Sequence, residues 1–341
     1  MDVISSLIVD QFGAFIGKKS ERVRVTVKGE VVVEKPLFQI EHLLITARGV
    51  SLSSDVVYKC CEAGIPISFV SYTGKPYGRI MSSDLIGTVK TRREQLLAYA
   101  DERGVMLSKA FARGKMLNQA HLIKYMAKYR KSRDKTLHRE VWDAAIEIQV
   151  LADQLEQLEG ENVDEIRPQL MNLEGRAADR YWQTMKKLLL VDVEWEKREH
   201  RGAQDPVNSA LNYGYGILYT QIENAVVLAG LDPYAGFVHV DRPGKPSLVL
   251  DLIEEFRQPV VDRTVFGLLN KGVAVEVDEK GWLTETTRKT LAEKVLGRLE
   301  GRERYEGKKH PLKAIIHSQA RHMATFVGGE GREYRPFVAG W

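Results

Sequence analysis

A chain of 341 residues can bury one large core or two modest ones, and length alone favours two domains. With 44% hydrophobic residues it is not a disordered chain, and a formal net charge of +4 with a pI near 8.8 permits a nucleic-acid partner without demanding one. No apolar run is long enough to span a bilayer, Asp2 and Asp10 spoil the start as a secretory signal, and the only two cysteines, Cys60 and Cys61, are adjacent, so neither a structural disulfide nor a four-ligand zinc site is open to them; the expected compartment is the cytoplasm.

From residue 3 to about 81 the hydrophobic pattern has mostly period two. Val23, Val25 and Val27 alternate with Arg22, Arg24 and Thr26, Lys28-Gly29-Glu30 makes a turn, and Val31-Val32-Val33 returns as the hairpin partner. Ser53 to Ala63 reads as a helix capped by Ser53 and stopped by Gly64. Ile67-Ser68-Phe69-Val70 and Tyr77-Gly78-Arg79-Ile80 flank Thr73-Gly74-Lys75-Pro76 as a second turned pair. These strands carry more apolar surface than so small a domain can hide, which predicts packing against a twin or against the rest of the chain.

Beyond about residue 85 the period becomes 3.6. Leu96, Leu97 and Ala100, then Leu107, Ala110 and Phe111, then Leu122, Met126 and Tyr129 mark successive amphipathic helices, and Val141 to Leu158 continues in that style before an acidic loop at Glu159, Glu161, Asp164 and Glu165. Helical spacing resumes over 170–190, 210–229, 249–256 and 287–299, interrupted by a Gly/Pro-rich loop at 230–246. The expected fold class is α+β, with a β-rich domain over 1–85 followed by a large all-helical domain over 86–341.

Three separated segments could supply a metal site. Glu174 sits on a helix whose neighbours Gly175, Ala177 and Ala178 are small, so another backbone or a DNA strand can come close. Asp251 and Glu254 are three apart, which puts both carboxylates on roughly one side of a helix while Leu252, Ile253 and Phe256 face a core. His239 comes from the Gly/Pro-rich loop. Hard oxygens with one imidazole suit Mg²⁺ or Mn²⁺, the ions with which nucleases activate phosphodiesters. On the residues alone, a helical glutamate is usually a solvated surface group and a histidine beside Gly and Pro a turn residue. Arg242, Lys245 and Arg257 lie near these positions and could bind DNA phosphates, as could Arg180, Lys186 and Lys187; an ordinary charged face is the alternative. Tyr213, Tyr215 and Tyr219 could stack on a DNA base or fill a core between Gly214 and Gly216.

The local wording goes further. Ala210-Leu211-Asn212-Tyr213-Gly214-Tyr215-Gly216, then Ala229-Gly230-Leu231-Asp232-Pro233-Tyr234-Ala235-Gly236-Phe237-Val238-His239, then Leu250-Asp251-Leu252-Ile253-Glu254-Glu255-Phe256-Arg257 resemble the CRISPR-associated spacer integrase, the Cas-one family. Leu173-Glu174-Gly175-Arg176-Ala177-Ala178, Arg92-Arg93-Glu94-Gln95, Lys115-Met116-Leu117-Asn118-Gln119 and Tyr334-Arg335-Pro336-Phe337 extend the resemblance over most of the chain. It implies a divalent-metal-dependent DNA endonuclease and integrase, with Mg²⁺ or Mn²⁺ held by Glu174, His239 and Glu254, the last standing where some members have aspartate. Asp251 would support that site or hold a second metal. The resemblance also implies a homodimer formed through the β-rich domains, a small Cas-two partner in a larger complex, and largely sequence-independent binding of double-stranded or branched DNA. Two other readings are a non-catalytic DNA-binding scaffold and a hydrolase of small phosphate esters; the three retained ligands disfavour the first and the dispersed basic surface the second. Two carboxylates sharing a site should repel each other, so alanine at either glutamate is expected to leave the fold intact or slightly stabilised.

Overall fold

The computed structural model describes residues 6–341 apart from 84–88, 129–131, 133, 192, 194, 201 and 332. In the strand-rich region, β1 (Ser6–Val9), β2 (Phe15–Lys19), β3 (Arg22–Val27), β4 (Glu30–Pro36), β5 (His42–Ile45), β6 (Ser51–Leu52), helix α1 (Ser54–Glu62), β7 (Ile67–Val70) and β8 (Pro76–Ile80) follow one another. Both predicted hairpins form: β3 pairs with β4 and β7 with β8, each antiparallel. Lys28 and Gly29 turn the first with φ of 52° and 87°, the left-handed pair that matches the twist of a hairpin. The helix has its predicted punctuation, since Ser53 Oγ accepts from the Val56 N–H at 3.2 Å and Gly64 takes φ +68° just past the end.

The strands form two four-stranded sheets. One has the order β4-β3-β2-β6, and the other the order β1-β5-β7-β8 with β1, β5 and β7 mutually parallel. The parallel pairing was not visible in the sequence, because it joins strands separated by whole intervening units. Alternation on β5 shows how the second sheet works: Leu43 and Ile45 enter a small core with Ile16, Val23, Val25 and Val56, while Leu44 faces the other way into the core of the helical body. The strand-rich region therefore hides one face against its own chain.

The last of these strands ends at Ile80 and the first long helix starts at Val89; the expected division at 85/86 falls outside the described residues, as does Tyr129. The helical part comprises α2 (Val89–Ala98), α3 (Glu102–Ala127), α4 (Lys135–Gln154), α5 (Val163–Lys187), α6 (Pro206–Leu228), α7 (Ser247–Leu252), α8 (Arg263–Leu269), α9 (Glu285–Glu300) and α10 (Leu312–Val327). It is mostly, not wholly, helical: β9 (Arg302–Tyr305) and β10 (Lys308–Pro311) form an antiparallel hairpin between α9 and α10. Its polar strands carry no apolar alternation, which is why periodicity missed it. After α7 the chain tightens into a 3-10 turn, Ile253–Glu255, then loosens into a π-helical turn, Arg257–Asp262. Among the described residues no helix is long and apolar enough to cross a membrane.

Candidate active site

Helices α3 and α5 and the 3-10 turn each deliver one charged side chain to a common point. Lys115 on α3 places its Nζ 2.5 Å from Glu174 Oε1 and 2.8 Å from Glu254 Oε2. Those two carboxylate oxygens, 80 residues apart in the chain (254 − 174), are thus within the sum of two short contacts of each other. Arg257 Nε donates to the other Glu254 oxygen at 2.8 Å. Burial alone would raise the Glu254 carboxyl, but Arg257, Lys115 and His239 outweigh it and hold the group down at about 2. Conversely, burial works against the Lys115 ammonium, and Glu174 and Glu254 more than restore it.

His239 is set by its loop. Asp251, wholly buried on α7, accepts from the backbone N–H groups of Phe237, Val238 and His239 at 2.6, 3.1 and 3.0 Å, and its Oδ1 lies 2.7 Å from His239 Nδ1. A carboxylate can only accept, so Nδ1 carries the proton and the Nε2 lone pair is left for another partner. Gly236 makes the closure possible: a β-carbon there would sit 2.5 Å from Ser247 Cβ and 2.9 Å from Asp251 Oδ2. Arg167, two turns before Glu174 on α5, donates to the carbonyls of Val238 and Phe237 at 3.0 and 2.9 Å. The Glu174 helix and the His239 loop are thereby tied together. With its oxygens taken up in this way, Asp251 is built to position His239 and has little left for a metal of its own.

The other candidates divide. Arg257 is not a loose surface cation: it is held by Glu254, and its guanidinium lies 4.5 Å from the Tyr215 ring centroid. It reaches solvent through a cleft of about 510 Å³ whose wall also includes Lys75, Arg198, His200, Asn212 and Trp282, with no carboxylate among the described lining residues. His200 is pushed down to about 4 by burial and by the neighbouring Arg198, Arg257 and Lys115. Arg242 and Lys245 share a tight turn past His239, closed by the Lys245 N–H on the Arg242 carbonyl at 3.0 Å; Arg242 is exposed. Tyr213 and Tyr215 are buried, which settles them as packing residues, and Tyr215 donates to Asp262 at the end of the π-helical turn. Arg180 and Lys187 pair with Glu147 and Glu140 on α4.

Three motifs quoted above without a role turn out to hold the site. Gln95 bonds three backbone groups, the Asp232 N–H and the carbonyls of Asp232 and Ala235, and so fixes the start of the His239 loop. Asn118 donates to the carbonyls of Glu255 and Phe337 and accepts from the Ala339 N–H, tying α3 to the 3-10 turn and to the C-terminal segment. Glu255 accepts from Tyr334 Oη, Gln319 Nε2 and the Phe337 N–H, and burial lifts its carboxyl to about 7 against those donors. Lys115, Asn118 and Gln119 recur at helical spacing, which was the available sign that one face of α3 is committed to a single task.

Glu174, Glu254 and His239 offer two hard carboxylates and an imidazole, a donor set that fits Mg²⁺ or Mn²⁺, and the buried Glu254 Oε2 already faces a cation, the Lys115 ammonium at 2.8 Å. Among the described residues no three His, Cys, Asp or Glu side chains stand gathered as a ready cage. The centre of this arrangement is the Lys115 ammonium.

The candidate site thus combines a buried pair of carboxylates, a histidine oriented by a carboxylate and a basic cleft. The family described as CRISPR associated protein Cas1 matches residues 7–296, and a CRISPR-associated endonuclease Cas1 of Archaeoglobus fulgidus is 37% identical over 98% of this chain and 99% of its own length. The chain belongs to the Cas1 family. Its fold is shared with a casposase bound to integration product (TM-score 0.80, 19% identity, covering 97% of this chain and 93% of that one). A chain of a Cas6-RT-Cas1–Cas2 complex has the same fold (TM-score 0.74, 19% identity, covering 98% of this chain and 36% of that one).

Proposed function

We propose that this chain is a divalent-metal-dependent DNA endonuclease and integrase, acting in the cytoplasm to insert captured DNA fragments into a CRISPR array. The observation that carries the reading is the convergence of Glu174 and Glu254, from separate helical segments, on one cationic centre, with His239, oriented by Asp251, near enough to help hold the Glu254 carboxyl down. Membership of a family whose relatives are named endonucleases supports it, as does the fold shared with a casposase bound to integration product.

Glu174, Glu254 and His239 would hold Mg²⁺ or Mn²⁺, which when bound supplies Lewis-acid polarisation of a phosphodiester and a lowered pKa for the attacking hydroxyl. The chain's own groups do the rest. Glu254 stays ionised at any ordinary pH because Arg257 and Lys115 hold it so. Asp251 fixes the His239 tautomer. Arg257, anchored on Glu254 and Tyr215, faces the phosphate that enters the cleft, with Arg242 and Lys245 adding salt-sensitive affinity outside it. In integration the 3′-hydroxyl oxygen of the fragment attacks phosphorus in the repeat. A new P–O bond forms as the repeat's P–O3′ bond breaks; the hydroxyl gives up its proton and the departing oxygen takes one.

Residues 1–85 would serve association and 86–341 catalysis. Phe12, Phe38, Tyr58 and Tyr77 are exposed on the strand-rich region, which supports a homodimer through that region, and the fold shared with a chain of a Cas6-RT-Cas1–Cas2 complex supports a Cas2 partner. The deciding experiment incubates the purified protein with branched and linear DNA in Mg²⁺, Mn²⁺ or EDTA, beside Glu174→Ala. Cleavage or strand transfer should vanish with EDTA and in the variant. DNA binding with no such chemistry would favour the scaffold reading, for which the lysine bridging both carboxylates is the supporting observation.

A further inference from the structure

We infer that Lys115 is a built-in competitor for the cation site: its ammonium neutralises Glu174 and Glu254 while no metal is bound, and a divalent ion must displace it to bind. The inference rests on the metal-binding reading above, in which Lys115 only keeps Glu254 ionised, and gives that residue a further role.

The geometry is that of one positive charge shared by two carboxylates. Nζ lies 2.5 Å from one and 2.8 Å from the other, with both carboxylates and the lysine largely buried. A buried carboxylate pair without a counter-ion repels strongly, so a cation standing there stabilises the fold. An ammonium and a divalent ion are alternative occupants of one position, since each satisfies the same two oxygens and they repel each other at contact distance.

Helix α3 is tied down beside the site. Asn118, one turn on from Lys115, is bonded to the Glu255 and Phe337 carbonyls, and a β-carbon at Gly114 would stand 2.7 Å from Pro336 Cβ and 3.2 Å from Glu255 Cγ. Only the flexible four-carbon stem of Lys115 can move. The tethered ammonium would remain beside the site after displacement. Glu174, Glu254, Lys115 and Arg257 sum to zero formal charge, so a divalent ion brings the cluster to +2. That surplus favours an incoming phosphodiester, and the displaced ammonium is placed to meet it. Metal binding and DNA binding would be coupled through one side chain.

The test measures Mn²⁺ binding by the loss of the free-ion EPR signal, in wild type, Lys115→Met, Lys115→Arg and the double variant Glu174→Gln/Glu254→Gln, without DNA. Lys115→Met should bind Mn²⁺ about tenfold tighter or more, because the competing charge is gone. Lys115→Arg, which keeps the charge, should stay near wild type. Thermal stability read alongside should show Lys115→Met less stable than wild type in EDTA and gaining more from saturating Mn²⁺. Should Lys115→Met fail to fold, Lys115→Gln removes the charge but keeps hydrogen-bond donors and carries the same expectation. Unchanged or weaker Mn²⁺ affinity in the neutral variants would overturn the inference while leaving the metal reading intact, provided the double variant loses the site. Binding that persists in the double variant, or is absent from every protein, would overturn the metal reading and this inference with it.

Discussion

Removing Glu254 should destabilise the protein more than removing Glu174, although both are candidate ligands. Glu254→Ala takes the partner from Arg257 and one of two partners from Lys115, and stranding buried cations costs about 3 kcal/mol. Glu174→Ala leaves Lys115 paired with Glu254, so about 1 kcal/mol is expected. The sequence gives the opposite sign, a neutral or stabilising effect, because two carboxylates without their lysine only repel. Urea unfolding in EDTA decides the matter; equal losses would mean that the Lys115 bridge contributes nothing. For Asp251→Asn, an NH₂ group would face backbone N–H donors at Phe237, Val238 or His239 and release the imidazole. Mn²⁺ affinity and strand-transfer rate should fall about 10–100-fold, the usual effect of losing the group that orients a histidine ligand. A variant with wild-type affinity would show that His239 needs no such orientation.

Elements were legible wherever their cause was local. Ser53 and Gly64 bound α1 and Lys28-Gly29 turns β3 into β4, each through chemistry within a few residues. The site's carboxylates were legible too, since Asp251 and Glu254 share one segment. Lys115 was quoted as part of a motif and given no task, because its partners lie 59 residues away on α5 and, at Glu254, 139 residues away (254 − 115). The same holds for the contact that docks the strand-rich region. Gly74, in the β7–β8 turn, meets Gly216 on α6, and a β-carbon at Gly216 would stand 1.5 Å from the Gly74 carbonyl oxygen. Only the absence of a side chain lets the two backbones meet. Gly216→Ala should therefore push the turn at 71–75 off α6 and cost about 1–3 kcal/mol, with faster amide exchange at residues 71–75 than in wild type. Unchanged exchange there would mean the turn is held by other contacts. The turn also contributes Lys75 to the basic cleft, so the same variant should bind DNA more weakly.

At the scale of the whole molecule, the strand-rich region and the helical body are joined by a buried imidazole whose charge state matters. His42 on β5 has Nε2 2.9 Å from Ser68 Oγ on β7 and Nδ1 2.9 Å from Gln221 Nε2 on α6. The Gln221 amide nitrogen can only donate, so Nδ1 accepts, Nε2 donates to Ser68, and the neutral ring fits both partners. Burial pushes His42 down to about 4 from an ordinary 6.5. The native state thus binds fewer protons than the unfolded chain between those values. This contribution is fully present above pH 6.5 and is lost as pH falls toward 4, amounting to about 3 kcal/mol across the window. Glu41, Glu300, Lys313 and His317 line the adjoining cavity, and His317 is lowered by its own burial and by Arg321, so its effect has the same sign. His200 adds to it as well. His42→Gln isolates the joint, because glutamine keeps a polar group there without titrating. Unfolding free energies at pH 7 and pH 4.5 should show the wild type losing more stability than His42→Gln by about 2 kcal/mol. The early loss on acidification should appear as faster amide exchange in β5, β7 and the facing turns of α6. If the two proteins lose stability in parallel, His42 remains neutral or finds its proton at no cost, and the imidazole is not the acid-sensitive joint between the two halves of the chain.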